Sequence, residues 1–214
     1  MESLLDGKKS RKNMILFSSI FLNPQIQNHI NDMCKTKRLA SYIPAGMEFY
    51  PFNGDTYKKM GFEKSTRFSL GYDFDESRID ELLSSDMIHI GGGNTFLLRY
   101  LLDNRGLMPK LVDYVENGGL LIGNSAGSIV MCEDILIANI ADDNFVDDNN
   151  YQGLGLVPFE VKPHFQAYID DIKYYRLYSE VKNKTVYGIA ESGAVIVKNG
   201  RVIEIGDVAR MNGF

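Results

Sequence analysis

Residues 87–127 read MIHIGGGNTFLLRYLLDNRGLMPKLVDYVENGGLLIGNSAG, and one pattern occurs in them twice. An apolar run (87–90) meets the glycine turn Gly91-Gly92-Gly93 and then a leucine-rich helix (95–103). A helix over 111–116 ends at Gly118-Gly119, a second apolar run (120–122) follows, and residues 123–127 turn into a helix expected to reach Cys132. Short apolar runs alternating with helices predict parallel strands, because a parallel return needs a crossover helix that then covers the sheet.

The pattern extends toward both ends. Residues 14–17 read as a first strand, 25–37 as a helix with Ile26, Ile30 and Met33 at helical spacing, and 39–43 as a strand closed by Pro44. Weaker signals suggest a helix over 57–62, a strand over 67–70 and a helix over 77–83 that Ser77 and Asp80 suit as a start. Beyond 134 an acidic stretch with Asp142, Asp143, Asp147 and Asp148 reads as a solvated loop. Strands are then expected around Val161 and over 186–189, 194–197 and 202–205, with Asn199-Gly200 as a hairpin turn. The expected fold is one α/β domain over 1–214, a doubly wound, mainly parallel sheet with helices on both faces, and 1–13 as a polar lead.

Composition narrows the function classes. The chain has 214 residues, 44% hydrophobic and 24% charged, with a net charge of -5, which suits a soluble globular domain. The cations are scattered rather than gathered into a stripe, so no nucleic-acid partner is implied. No run is long enough to span a membrane, and the apolar run at 14–17 is too short for the core of a signal peptide. Cys34 and Cys132 are far apart and lack companions at metal-ligand spacing, so no metal, disulfide framework or organic cofactor is expected. A reducing cytoplasm is the expected compartment.

In Gly123-Asn124-Ser125-Ala126-Gly127 a strand runs through small residues into a helix, the layout of a nucleophile elbow. A serine held there stands above the sheet edge beside backbone N–H groups able to meet an oxyanion. An ordinary glycine-rich turn with a capping serine is the plain alternative. The Gly91-Gly92-Gly93-Asn94 turn could lie alongside and complete an oxyanion hole; it matches neither phosphate-loop pattern. Three histidines could serve as the base. His29 falls on an amphipathic helix, and His89 lies inside an apolar strand, as core histidines do. His164 follows Pro163 at a strand edge and is the best candidate. Glu191, Asp142 and Asp143 are all available as its carboxylate partner.

Four segments in order resemble the peptidase E family of serine peptidases, which also includes cyanophycinases. They are Ile90-Gly91-Gly92-Gly93-Asn94-Thr95-Phe96, Gly123-Asn124-Ser125-Ala126-Gly127, Gly155-Leu156-Val157-Pro158 leading to Pro163-His164-Phe165, and Gly188-Ile189-Ala190-Glu191-Ser192-Gly193. The resemblance implies a sheet like that of class I glutamine amidotransferases, a Ser125, His164, Glu191 triad, and the N–H groups of Gly93 and Ala126 as the oxyanion hole. It also implies a short peptide substrate, and Asn94 is a candidate for holding it. Where the family carries an aspartate-recognising arginine, this chain reads Asp170-Asp171-Ile172-Lys173-Tyr174-Tyr175-Arg176. Lys173 or Arg176 is the expected replacement, with the acidic neighbours weakening any preference for N-terminal aspartate. The alternatives are an amide or ester hydrolase on the same site, or a binding protein on this scaffold. A homodimer is left open.

Overall fold

The computed structural model describes residues 3–4, 12–20, 22–45 and 53–212. In chain order its elements are β1 (Ser3–Leu4), β2 (Asn13–Phe17), α1 (Pro24–Met33), β3 (Leu39–Ala45), α2 (Gly54–Lys59), β4 (Lys64–Arg67), α3 (Ile79–Leu83), β5 (Met87–Gly93), α4 (Thr95–Asn104), α5 (Leu107–Glu116), β6 (Leu120–Asn124), α6 (Ala126–Val130), β7 (Glu160–Pro163), α7 (Ile169–Lys182), β8 (Val186–Ile189), β9 (Ala194–Lys198), β10 (Arg201–Ile205) and β11 (Val208–Met211). Among the described residues, no helix is long and apolar enough to cross a membrane.

The strands form an eight-stranded sheet, ordered β1-β10-β9-β2-β6-β5-β3-β4, and a separate three-stranded sheet, β11-β8-β7. In the large sheet β2, β6, β5, β3 and β4 run parallel, while β9 lies antiparallel beside β2 and β10 pairs antiparallel with β9. Alternation along each strand divides the core between two faces. Ile15, Phe17, Met87, Leu120 and Ile122 pack with Ile26 and Ile30 of α1 and Tyr57 of α2. Met14, Leu16, Ile88, Ile90 and Leu121 pack with leucines of α4 and α5 on the opposite face. Period-2 side chains buried on both sides are what a helix-covered parallel sheet requires, and the doubly wound α/β expectation holds.

Several boundaries differ from the sequence reading. Gly91, Gly92 and Gly93 continue β5 rather than turning out of it. Pro44 lies inside β3, where the register to β5 shifts between Ile43 and Ala45; a proline fits such an irregularity because it has no N–H to give the ladder. The strand expected over 67–70 ends at Arg67. The helix over 77–83 opens as a 3₁₀ turn whose cap is Asp75, accepting from the Ser77 N–H at 3.0 Å. Within the expected polar lead, Ser3–Leu4 pairs with β10 and Asn13 begins β2; apart from residues 12 and 13, the rest of that lead lies outside the described residues.

The acidic stretch after 134 is tied down rather than loose. Buried Arg99 on α4 binds Asp148 and Asp103 and donates to the Gln152 carbonyl at 3.2 Å. Charge-assisted bonds of this kind fasten the loop to α4, which follows β5 at the C-terminal edge of the large sheet.

Candidate active site

Ser125 follows β6 at that edge. Its backbone has φ 51° and ψ -118°, a conformation that costs a non-glycine residue roughly 1–3 kcal/mol and persists only where neighbours enforce it. The enforcing contacts come from the end of β2. The Ser125 N–H donates to the Phe17 carbonyl at 3.0 Å. Buried Ser128 accepts from the Phe17 N–H at 3.0 Å, with its own hydroxyl proton shared between the Phe17 and Gly123 carbonyls. The two glycines of the elbow answer to close approach: a Cβ on Gly123 would fall 2.5 Å from the Gly127 carbonyl, and one on Gly127 would collide with the Ile90 carbonyl of β5.

His164 follows β7, and Glu191 stands two residues beyond β8, so both come from the small sheet. His164 Nε2 lies 3.0 Å from Ser125 Oγ, and Nδ1 lies 2.5 Å from Glu191 Oε1. Glu191 is held below the usual carboxylate range, first by its hydrogen bond from His164 and then by one from Ser19. With Nδ1 donating to the carboxylate, Nε2 is left as an acceptor facing the serine hydroxyl. Both His164 and Glu191 are open to solvent, with side chains 46% and 64% exposed.

Two serines after β2 join the sheets at this point. Ser18 is fully buried; its hydroxyl donates to the Ile189 carbonyl and accepts from the His164 N–H, the latter at 2.9 Å. Ser19 binds Glu191. Both directly follow the run 14–17 that reads as a strand, and polar residues right after a buried strand are the one signal the sequence offers for them.

Neither competing aspartate bonds His164, and the Asp142 carboxylate is occupied elsewhere. Asp142 accepts from the Thr95 N–H and hydroxyl at 2.8 and 2.6 Å, at the start of α4. Asp143 offers its carbonyl to the Asn94 amide at 2.9 Å, while Asn94 Oδ1 caps α4 through the Leu97 N–H. Asn94 is thus engaged at both ends of its side chain. Lys173 and Arg176 lie on exposed positions of α7. His89 is buried, between the Tyr57 hydroxyl and Asn124 Oδ1, each at 2.7 Å, and does not bond Ser125. Gly92 and Gly93 end β5 beside the elbow, and a Cβ on Gly92 would lie 3.2 Å from that of Ser125.

A family model described as peptidase family S51 matches residues 14–205. Curated relatives include the Peptidase E of Salmonella arizonae, 33% identical over 133 residues that cover 58% of this chain and 57% of that protein. The Peptidase E of a Nostoc species is 34% identical over 125 residues, covering 55% and 51%. These alignments span little more than half the length of the curated relatives. Among solved structures, a peptidase from an acI-B1 actinobacterium superposes with a TM-score of 0.69 at 18% identity, covering 95% of this chain and 91% of that one. A Listeria monocytogenes protein named for peptidase E gives 0.68 at 20%, covering 94% and 98%. At those identities the structures speak for the fold, and the family match speaks for descent: this chain belongs to peptidase family S51.

Proposed function

We propose that the protein is a serine peptidase that hydrolyses short peptides through an acyl-enzyme on Ser125. The observation that carries this reading is the placement of His164 between Ser125 Oγ and Glu191 Oε1. In the first step His164 Nε2 takes the hydroxyl proton as Oγ adds to the carbonyl carbon of the scissile bond. The N–H groups of Ala126, which opens α6, and Gly93, which closes β5, receive the developing oxyanion. On collapse the C–N bond breaks, and the proton on Nε2 passes to the leaving amine. Water then enters by the same route in reverse: His164 takes its proton, its oxygen attacks the ester, and Ser125 Oγ leaves as the hydroxyl. Glu191 keeps the proton on Nδ1 and stabilises the imidazolium formed in each half. A short substrate suits a site open to solvent at the sheet edge.

A fluorophosphonate probe and a panel of Xaa-Leu dipeptides test the reading together. Labelling at Ser125, with dipeptide hydrolysis that prior labelling abolishes, is the expected result. An unlabelled wild-type protein would overturn it.

A further inference from the structure

His89 is linked to the site through Asn124, the residue before the nucleophile. Burial keeps its imidazole neutral, the pKa lowered to about 4, so one ring nitrogen carries a proton and the other accepts one. With Asn124 Oδ1 the acceptor at 2.7 Å, the proton sits on Nε2, and Nδ1 takes the hydrogen of the Tyr57 hydroxyl. Burial pushes the Tyr57 pKa well up, so the hydroxyl remains a donor. The bonds therefore run one way, from Tyr57 through His89 to Asn124 Oδ1. They leave the Asn124 Nδ2 hydrogens facing away from the chain, with no hydrogen-bond acceptor among the described residues. A Cβ on Gly92 would lie 3.0 Å from Asn124 Nδ2 and 3.2 Å from the Ser125 Cβ, so this donor and the nucleophile flank the same glycine.

Asn124 opens onto a cleft of about 270 Å³ that Ser19, Tyr42, Asn53, Thr56, Tyr57 and His89 also line. That is slightly below the roughly 300–1,000 Å³ of sites for drug-sized molecules, and suits a single side chain. Among the described residues its polar groups are hydroxyls, carboxamides and a neutral imidazole, with no lysine, arginine or carboxylate in the lining. Arg67 pairs in register with Tyr42 across β3 and β4 and lowers the Tyr42 pKa against the larger effect of burial, but it stands outside the lining.

We propose that this cleft selects an uncharged carboxamide side chain, asparagine or glutamine, on the residue whose carbonyl Ser125 attacks. Asn124 Nδ2 donates to the side-chain carbonyl, and Tyr57 and His89 are positioning residues that hold the Asn124 amide in that orientation. The inference rests on the peptidase reading above and names its substrate class. A methyl group in the cleft leaves the Asn124 donors unpaired, and a site built to hydrogen-bond its substrate rejects an analogue without the bond. A carboxylate meets donors but no cation among the described lining residues, and burying an unpaired charge is costly.

The test compares Asn-Leu, Gln-Leu, Asp-Leu and Ala-Leu as substrates of the full chain. The better carboxamide peptide is expected to exceed both Ala-Leu and Asp-Leu at least about ten-fold in kcat/KM. In Asn124→Leu the carboxamide-to-alanine ratio should fall to about one. In Tyr57→Phe, where the His89 tautomer is no longer dictated, the ratio should fall at least about three-fold through a higher KM for the carboxamide peptide. A purely structural role for Tyr57 would lower all substrates together and leave the ratio unmoved. If Asn124→Leu does not fold, the wild-type panel and Tyr57→Phe decide. Preference for Asp-Leu or Ala-Leu, or a ratio that survives either substitution, overturns the proposal. Probe labelling without hydrolysis of any of the four peptides overturns this inference alone, whereas absence of labelling overturns the peptidase reading as well.

Discussion

Ser125 and His164 both hold a left-handed backbone, with φ of 51° and 55°, and their side chains meet, Oγ to Nε2, at 3.0 Å. Both conformations are enforced from one place. The Ser125 N–H is held by the carbonyl of Phe17, and the His164 N–H by the hydroxyl of Ser18. The last residue of β2 and the first beyond it thus fix the approach of a serine from the large sheet to a histidine from the small one. Strain concentrated in two facing residues is expected where geometry serves chemistry rather than stability.

Replacement of Ser125 should therefore separate activity from stability. Ser125→Ala is expected to lose hydrolysis and probe labelling with little change in fold, since only a hydroxyl is removed. Ser125→Gly should be equally inactive but up to about 1 kcal/mol more stable than Ser125→Ala, because glycine occupies positive φ without a Cβ clash. Urea denaturation of the two variants measures the difference, and labelling of either would exclude Ser125 as the nucleophile.

Glu191 and Asp142 should behave oppositely. Glu191→Gln is expected to lower kcat at least about ten-fold, because the imidazolium loses its charged partner. Asp142→Asn should keep kcat within about three-fold and lower Tm, since its contacts are to Thr95 at the start of α4. The depressed pKa of Glu191 means that its contribution is present above the usual carboxylate range and is lost only as pH falls through a lower value. The Glu191→Gln deficit should then persist across about pH 5 to 8. Steady-state kinetics on both variants decide, and the reverse pattern would move the partner of His164 to the acidic loop.

Ser18→Ala strips a partner from the His164 N–H and the Ile189 carbonyl at a fully buried position. A loss of about 1–3 kcal/mol is expected, the cost of leaving buried polar groups unpaired. As Ser18 positions His164 without touching substrate, the kinetic effect should fall on kcat and on the probe-labelling rate more than on KM. An unchanged labelling rate would show that the His164 backbone holds its conformation without Ser18.

His89 should shape acid stability. Its pKa is lowered to about 4 in the folded protein, against about 6.5 when unfolded, so between these values the unfolded chain binds more protons and stability rises with pH. The contribution is complete above about pH 6.5 and fades toward pH 4, a span worth about 3 kcal/mol at most. Denaturation of His89→Phe should show a shallower loss of stability over that window than wild type, and equal slopes would mean that His89 becomes protonated without unfolding.

The sequence by itself determined the local pieces. Alternating apolar runs and helices specified the parallel α/β layers, because only a strand buried on both faces tolerates continuous hydrophobicity. Glycines at 123 and 127 marked the elbow, since no Cβ fits where the turn meets β5, and Pro163 set His164 apart from the other two histidines. Tertiary structure decided how distant pieces meet. Only the family resemblance, not local chemistry, singled out Glu191 over Asp142 as the partner of His164, and nothing local announced that β7 and β8 would leave the main sheet or that Ser18 and Ser19 would join the two sheets. The same holds for His89, legible as a core histidine but not as the fixed link between Tyr57 and Asn124. Hydrophobic periodicity is written in neighbouring residues, whereas a hydrogen bond between side chains carried by different strands depends on strand order and register, which a single chain's pattern does not encode.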